Sequence, residues 1–132
     1  MSQDVVLAAP VRTPIGRFGG GLLSVSAVEL GIVAAKASMA RAGISPEVVD
    51  QTILGHARQA GCGPNSARQV SVRAGIPVEK PAYGINQACL SGMQAILAAA
   101  RAIRLGEADV VLAGGMESMS RVPYALDTRW GS

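Results

Sequence analysis

Cys89 is the residue of this 132-residue chain best placed to do chemistry. It follows residues 82–87, a short run that reads as a strand, and comes just before a long segment of helical apolar spacing that begins at Ser91. Reactive groups in an open parallel sheet collect in the crevice beyond the carboxyl ends of the strands. A thiol at such a strand-to-helix turn feels the unpaired N–H groups and partial positive charge of the helix's first turn, which favour the thiolate, the nucleophilic form. Ser91 and Gly92 are small enough to let a ligand approach the backbone, and Asn86 is placed to hydrogen-bond across the turn. The same position also suits a small buried hydrophobe, the usual fate of a free cysteine.

The other candidates are weaker. His56, the only histidine, follows residues 51–55, a second strand-like run, and is expected near the same crevice either as a base for Cys89 or as a loop-packing residue. Cys62 lies in a Gly-rich loop with no acid or base beside it and reads as a structural thiol. Glu117 follows a glycine pair, where a carboxylate serves as an acid or base or, more commonly, caps a nearby backbone turn. One histidine and two separated cysteines fit no zinc spacing, so no metal is expected. Gly19 to Gly21 and the pair Gly114, Gly115 match neither the phosphate-loop nor the dinucleotide fingerprint, and read as turns and close packing.

Positioning these residues requires alternating strands and helices. Residues 5–9 are β-branched and apolar and stop at Pro10, which predicts a buried first strand. Ser26 and Glu29 form a capping-box pattern ahead of the stripe Val28, Ile32, Ala35, Met39, with Gly43 as the stop. A turn at Ser45 to Glu47 precedes the strand 51–55, a helix over 67–74, and the strand 82–87. The clearest helix is expected over 91–105, with Met93, Ile96, Leu97, Ala100 and Ile103 on one face and Arg101 and Arg104 on the other, followed by a fourth strand at 109–113. Short connections between alternating elements predict an α/β fold, a βαβαβαβ unit whose mostly parallel sheet is covered by helices.

Bulk properties narrow the function classes. Apolar residues make up 49% of the chain, enough for one continuous core, while only 3% are aromatic, so small aliphatic side chains must fill it. The net charge of +3 comes from scattered basic residues with no run that would track a phosphate backbone, so nucleic-acid binding is not indicated. No apolar stretch is long enough to span a bilayer and the residues from Met1 to Asp4 lack a basic leader region, which points to a cytoplasmic protein without membrane contact. Two cysteines do not make a disulfide framework.

Four motifs, in order, resemble those of the thiolase family. Arg12, Thr13, Pro14, Ile15, Gly16, Phe18 and Gly19 resemble RTPxGxFxG; Gly63 to Gln69 resemble the GxNxAR loop; Asn86 to Met93 resemble the NxxCxSG nucleophile motif; and Gly114 to Ser120 resemble GGMESMS. They cover nearly the whole chain. The resemblance implies a thiolase-like amino-terminal half over 1–126, with a 127–132 tail and no carboxyl-terminal thiolase domain. It implies that Cys89 is the acyl-accepting nucleophile and a backbone oxyanion donor, supported by Asn86, Ser91 and Gly92. Acyl-CoA and CoA are then the substrates, no other cofactor is needed, and the protein is a homodimer or tetramer with Asn65 and Arg68 on its dimer side.

The same resemblance shows what these residues lack. The family's GHP histidine, CxGGG cysteine and NEAF asparagine are not among them, so the isolated chain is expected to show no turnover. The chain then belongs to an ordinary thiolase, to a split enzyme completed by a carboxyl-half partner chain, or to a non-catalytic binding protein. The last strand of the sheet is expected to present an unpaired edge, and the apolar face of the helix at 91–105 is expected to be uncovered. Ser66 stands where proline is common, and Leu90 stands where a small residue is common and is expected to narrow the acyl pocket.

Overall fold

The computed structural model describes residues 4–131; residues 1–3, where most of the expected leader-free terminus falls, and Ser132 of the expected tail lie outside the described residues. The first helix, α1 (Ala27–Ala42), starts at the capping box. Ser26 Oγ accepts the Glu29 amide at 3.2 Å, and the Glu29 carboxylate accepts the Ser26 amide at 2.8 Å. Those bonds from Ser26 hold the Glu29 carboxyl below its usual range. Gly43 ends the helix at φ 68°, a left-handed conformation that glycine adopts without a Cβ penalty. Val28, Ile32, Ala35 and Met39 are buried, as their spacing predicts.

A single turn at Pro46–Val48 leads into β1 (Gln51–Gly55), then come α2 (Ser66–Arg73), β2 (Ala82–Ile85), α3 (Ser91–Arg104) and β3 (Val111–Gly115). The three strands are parallel in the order β2-β1-β3, so Ile53 lies opposite both Tyr83 and Ala113. Successive side chains of β1 point to opposite faces. Leu54 joins the core formed by α1 and α2, with Val70, Ala67 and Met116, while Ile53 joins Ala95 and Ala99 of α3. The result is three layers, with the sheet between α3 and the α1–α2 pair.

Asp50 joins the strand starts. Its carboxylate accepts the amides of Asp109 and Val110 and the Lys80 ammonium, and these contacts, in that order, hold its carboxyl below the usual range. On the free side, β3 has no strand partner beyond β1 among the described residues, as expected for the last strand.

One expectation fails. Residues 5–9 form no strand, and Val6 and Leu7 are 80% and 78% exposed. β-Branched residues favour a strand only where a neighbour can pair with their backbone. Here a groove lined by Val6 and Leu7 on one side and Val111 to Ala113 on the other separates the segment from β3. Hydrogen bonds tie it to α1 instead, from Ser38 Oγ to the Ala9 carbonyl at 2.9 Å and from Arg41 Nη1 to the Pro10 carbonyl at 2.7 Å.

The face of α3 that packs on the sheet is one of small residues, to which the sequence reading gave no role. Ser91, Ala95, Ala99 and Ala102 are buried against it, whereas Met93 and Leu97 are 62% and 44% exposed. Gly55 explains the choice. A Cβ placed on it would lie 2.3 Å from the Ser91 carbonyl carbon and 2.4 Å from the Gly92 nitrogen, so only small residues fit this joint. The larger apolar side chains turn away, leaving the apolar face uncovered as anticipated.

Candidate functional site

Cys89 sits in the connection from β2 to α3, which hydrogen bonds hold rigidly. Asn86 Oδ1 accepts the Ala88 amide at 3.0 Å, and Asn86 Nδ2 donates to the Ala57 carbonyl at 2.9 Å, tying the turn to the loop after β1. Ser91 Oγ accepts the Gln87 amide at 2.9 Å and donates to the Ala88 carbonyl at 2.6 Å. Ala88 is driven into the left-handed region at φ 51°, uncommon for a residue with a Cβ. The two side chains singled out for this turn, Asn86 and Ser91, therefore build it.

The cysteine itself is exposed and unpaired. It lines an open groove of about 1480 Å³ together with Asn86, Ser91, Gly92 and the segment that carries Arg12 and Phe18. Its amide takes no hydrogen-bond partner among the described residues, nor do the Gly92 and Met93 amides of the first turn of α3. The helix end is seated on the sheet at Gly92, which meets the backbone of Gly115. An exposed sulfur beside free amides can attack an electrophilic carbon and offer an N–H to the oxygen that becomes charged. Leu90 beside it is 65% exposed.

His56 is not brought into this groove. It is 1% exposed, its Nδ1 is 2.8 Å from Ser66 Oγ, and Glu117 Oε1 lies 3.3 Å from Nε2. The latter contact is misaligned, so Nε2 has no hydrogen bond. His56 is thus buried behind α2 rather than poised as a base for Cys89. Glu117 caps a turn, the second of the two roles open to it, accepting the amides of Ala57 at 3.0 Å and Arg58 at 3.2 Å.

The polar residues after β3 work as a hub. Besides Glu117, Ser118 Oγ donates to the Val25 carbonyl and Ser120 Oγ accepts the Gly19 amide, both at 2.9 Å. The GGMESMS-like motif includes both serines, but it does not reveal their role, because their partners are far along the chain.

Asn65 and Arg68 serve the fold of this chain. Asn65, at φ 43°, caps α2 through the Arg68 amide and donates from Nδ2 to the Ala82 carbonyl at 2.9 Å. Arg68 donates to the carbonyls of Lys80, at 2.7 Å, and Val78. Cys62 is half-buried, and its carbonyl accepts Gln69 Nε2 at 2.7 Å. Among the described residues no group of three or more His, Cys, Asp or Glu is arranged to hold a metal ion, and no helix is long and apolar enough to cross a membrane.

Comparison with known proteins gives a consistent result. The family described as thiolase, N-terminal domain, matches residues 5–132. An acetyl-CoA acetyltransferase of Cupriavidus necator is 47% identical over 123 residues, covering 93% of this chain and 31% of the relative. The crystal structure of the Bacillus anthracis acetyl-CoA acetyltransferase superposes with a TM-score of 0.88 at 48% identity, covering 92% of this chain and 31% of that one. A thiolase from Ascaris suum in complex with coenzyme A superposes with a TM-score of 0.87 at 42% identity, over 88% of this chain and 30% of that one. The chain therefore spans about a third of the length of the relatives it matches.

Proposed function

Because this chain belongs to the thiolase family, we propose that it supplies the nucleophile half of an acetyl-CoA acetyltransferase, with Cys89 carrying the acyl group as a thioester. Cys89 Sγ attacks the acyl-CoA carbonyl carbon, the bond from that carbon to the CoA sulfur breaks, and the thiol proton ends on the departing CoA. A second acetyl-CoA, deprotonated at its methyl carbon, then attacks the acyl-cysteine. A carbon–carbon bond forms and the cysteine thiolate leaves; the reverse reaction is thiolysis by CoA. The Cys89 amide is free to donate to the oxyanion of a tetrahedral step.

The observation that carries this reading is the exposed Cys89 thiol on a hydrogen-bonded strand-to-helix turn, open to a groove large enough for a thioester. Proton transfer needs an acid–base group at the sulfur, and His56 is held elsewhere by Ser66 and Glu117. That group comes from polypeptide other than these 132 residues, continuing the same chain or on a carboxyl-half partner, in a homodimer or tetramer of the cytoplasm. The 132 residues alone show no turnover. The uncovered Met93 and Leu97 face of α3 and the free edge of β3 suit such completion.

Acid-quenched incubation with labelled acetyl-CoA, followed by peptide mass analysis, tests the assignment. Label is expected on the Cys89 peptide in the protein as expressed from its gene, and Cys89→Ala should abolish it and lower any thiolysis by about 10³-fold or more. Label on Cys62, or label that survives Cys89→Ala, would sink the reading.

A further inference from the structure

Beside the Cys89 groove, and sharing Arg58 and Ser118 with it, lies a second cavity of about 240 Å³ that acyl transfer does not use. Its wall gathers arginines from three distant segments: Arg58 after β1, Arg73 at the end of α2 and Arg121 after β3. The guanidinium groups of Arg58 and Arg73 make no ion pair or hydrogen bond among the described residues, and Arg121 reaches only the Ser24 carbonyl, at 3.3 Å. Like charges converging on one cavity repel, and the natural relief is an anion.

Other parts of the wall agree. Ala27 and Val28, the first two residues of the sixteen-residue α1, also line it, and their amides have no hydrogen-bond partner among the described residues. They add the partial positive charge of a helix N-terminus. His56 also lines the wall, its buried Nε2 facing the Glu117 carboxylate at 3.3 Å. The opposing charges are few. Glu29 lies near enough to Arg73 and Arg121 to feel both, but its carboxylate is already committed to Ser26, and Glu117 is committed to the amides of Ala57 and Arg58.

We propose that this cavity binds a tetrahedral oxyanion the size of phosphate, either free or as the terminal group of a phosphomonoester. The planar, forked guanidinium donors match the edges of such an anion. The cavity is smaller than the roughly 300–1,000 Å³ typical of sites that enclose a whole small molecule, so the rest of an ester would lie outside it. This site is independent of the role given to Cys89.

Titration of the protein as expressed from its gene with inorganic phosphate, followed by calorimetry and by phosphorus NMR line width, tests the assignment. Saturable binding at one site is expected, weakened about tenfold by either Arg58→Gln or Arg73→Gln, since each removes a charged donor. Arg104→Gln, on the exposed side of α3, should leave the affinity unchanged. Both cavity arginines are exposed, and a thermal melt of each variant checks that it remains folded. A parallel titration with adenosine 3′-monophosphate separates the sources: tighter binding of the ester assigns the site to a phosphomonoester, and binding of phosphate alone assigns it to the free ion. No saturable binding of either, or equal weakening by Arg104→Gln, overturns the proposal.

Discussion

The two faces of the sheet are built differently. On the α1–α2 face a cluster of twelve buried residues, from Ala27 to Met116, closes over Leu54, and it excludes water without further help. On the α3 face the buried apolar cluster is only Ile53, Ala95 and Ala99, and the helix is seated by backbone contact at Gly55 and Gly115 rather than by side-chain volume. The first face is a core in the ordinary sense. The second is a platform that holds the amino-terminal end of α3, and with it Cys89, at a set height above the strand ends.

If that distinction is right, the largest structural effect should come from a methyl group at the joint. Gly55→Ala would drive a Cβ into the Ser91 and Gly92 backbone and should cost about 3 kcal/mol in denaturant unfolding. Hydrogen exchange should show the loss of protection concentrated in α3, with α1 and α2 little changed; uniform loss across both faces would erase the distinction.

A smaller effect is expected at Asp50, which serves both faces by joining the starts of β1 and β3. Its carboxyl is held below the usual value of 3.8. Its stabilisation is therefore complete above that value and is lost as pH falls through the lower folded-state value. Asp50→Asn should cost about 1 kcal/mol at neutral pH, a figure discounted for the group's partial exposure, and nothing once the wild-type carboxyl is protonated. Unfolding free energy measured from neutral to strongly acidic pH should show the two proteins converging; a constant gap would contradict it.

The smallest effect should be at Leu97, on the outer side of α3. Because this side chain supports no core, Leu97→Gln should change unfolding stability by less than about 0.5 kcal/mol and improve solubility. A cost comparable to that of Gly55→Ala would mean that the outer side is structural after all.

What could be read in the sequence follows from how local its cause is. The ends of β1, the capping box of α1 and the turn carrying Cys89 depend on neighbours within about five residues, and the sequence displays all of them. The packing face of α3 is not legible in the sequence, because spacing ranks side chains by hydrophobicity, whereas the joint selects them by size at a glycine 36 positions away. Residues 5–9 were misjudged because a strand exists only with a partner. The isolation of His56 depends on Glu117, 61 positions along the chain, which local reading cannot reach.

The hub after β3 also bears on how the chain reaches this structure. Glu117, Ser118 and Ser120 close loops spanning 60, 93 and 101 residues. Closing such loops costs chain entropy that grows with length, and long-range contacts slow folding. On a ribosome, Cys89 is made almost thirty residues before the groups that fasten the loops around it. For that interval Cys89 is a free thiol on an unfinished scaffold, open to oxidants and alkylators.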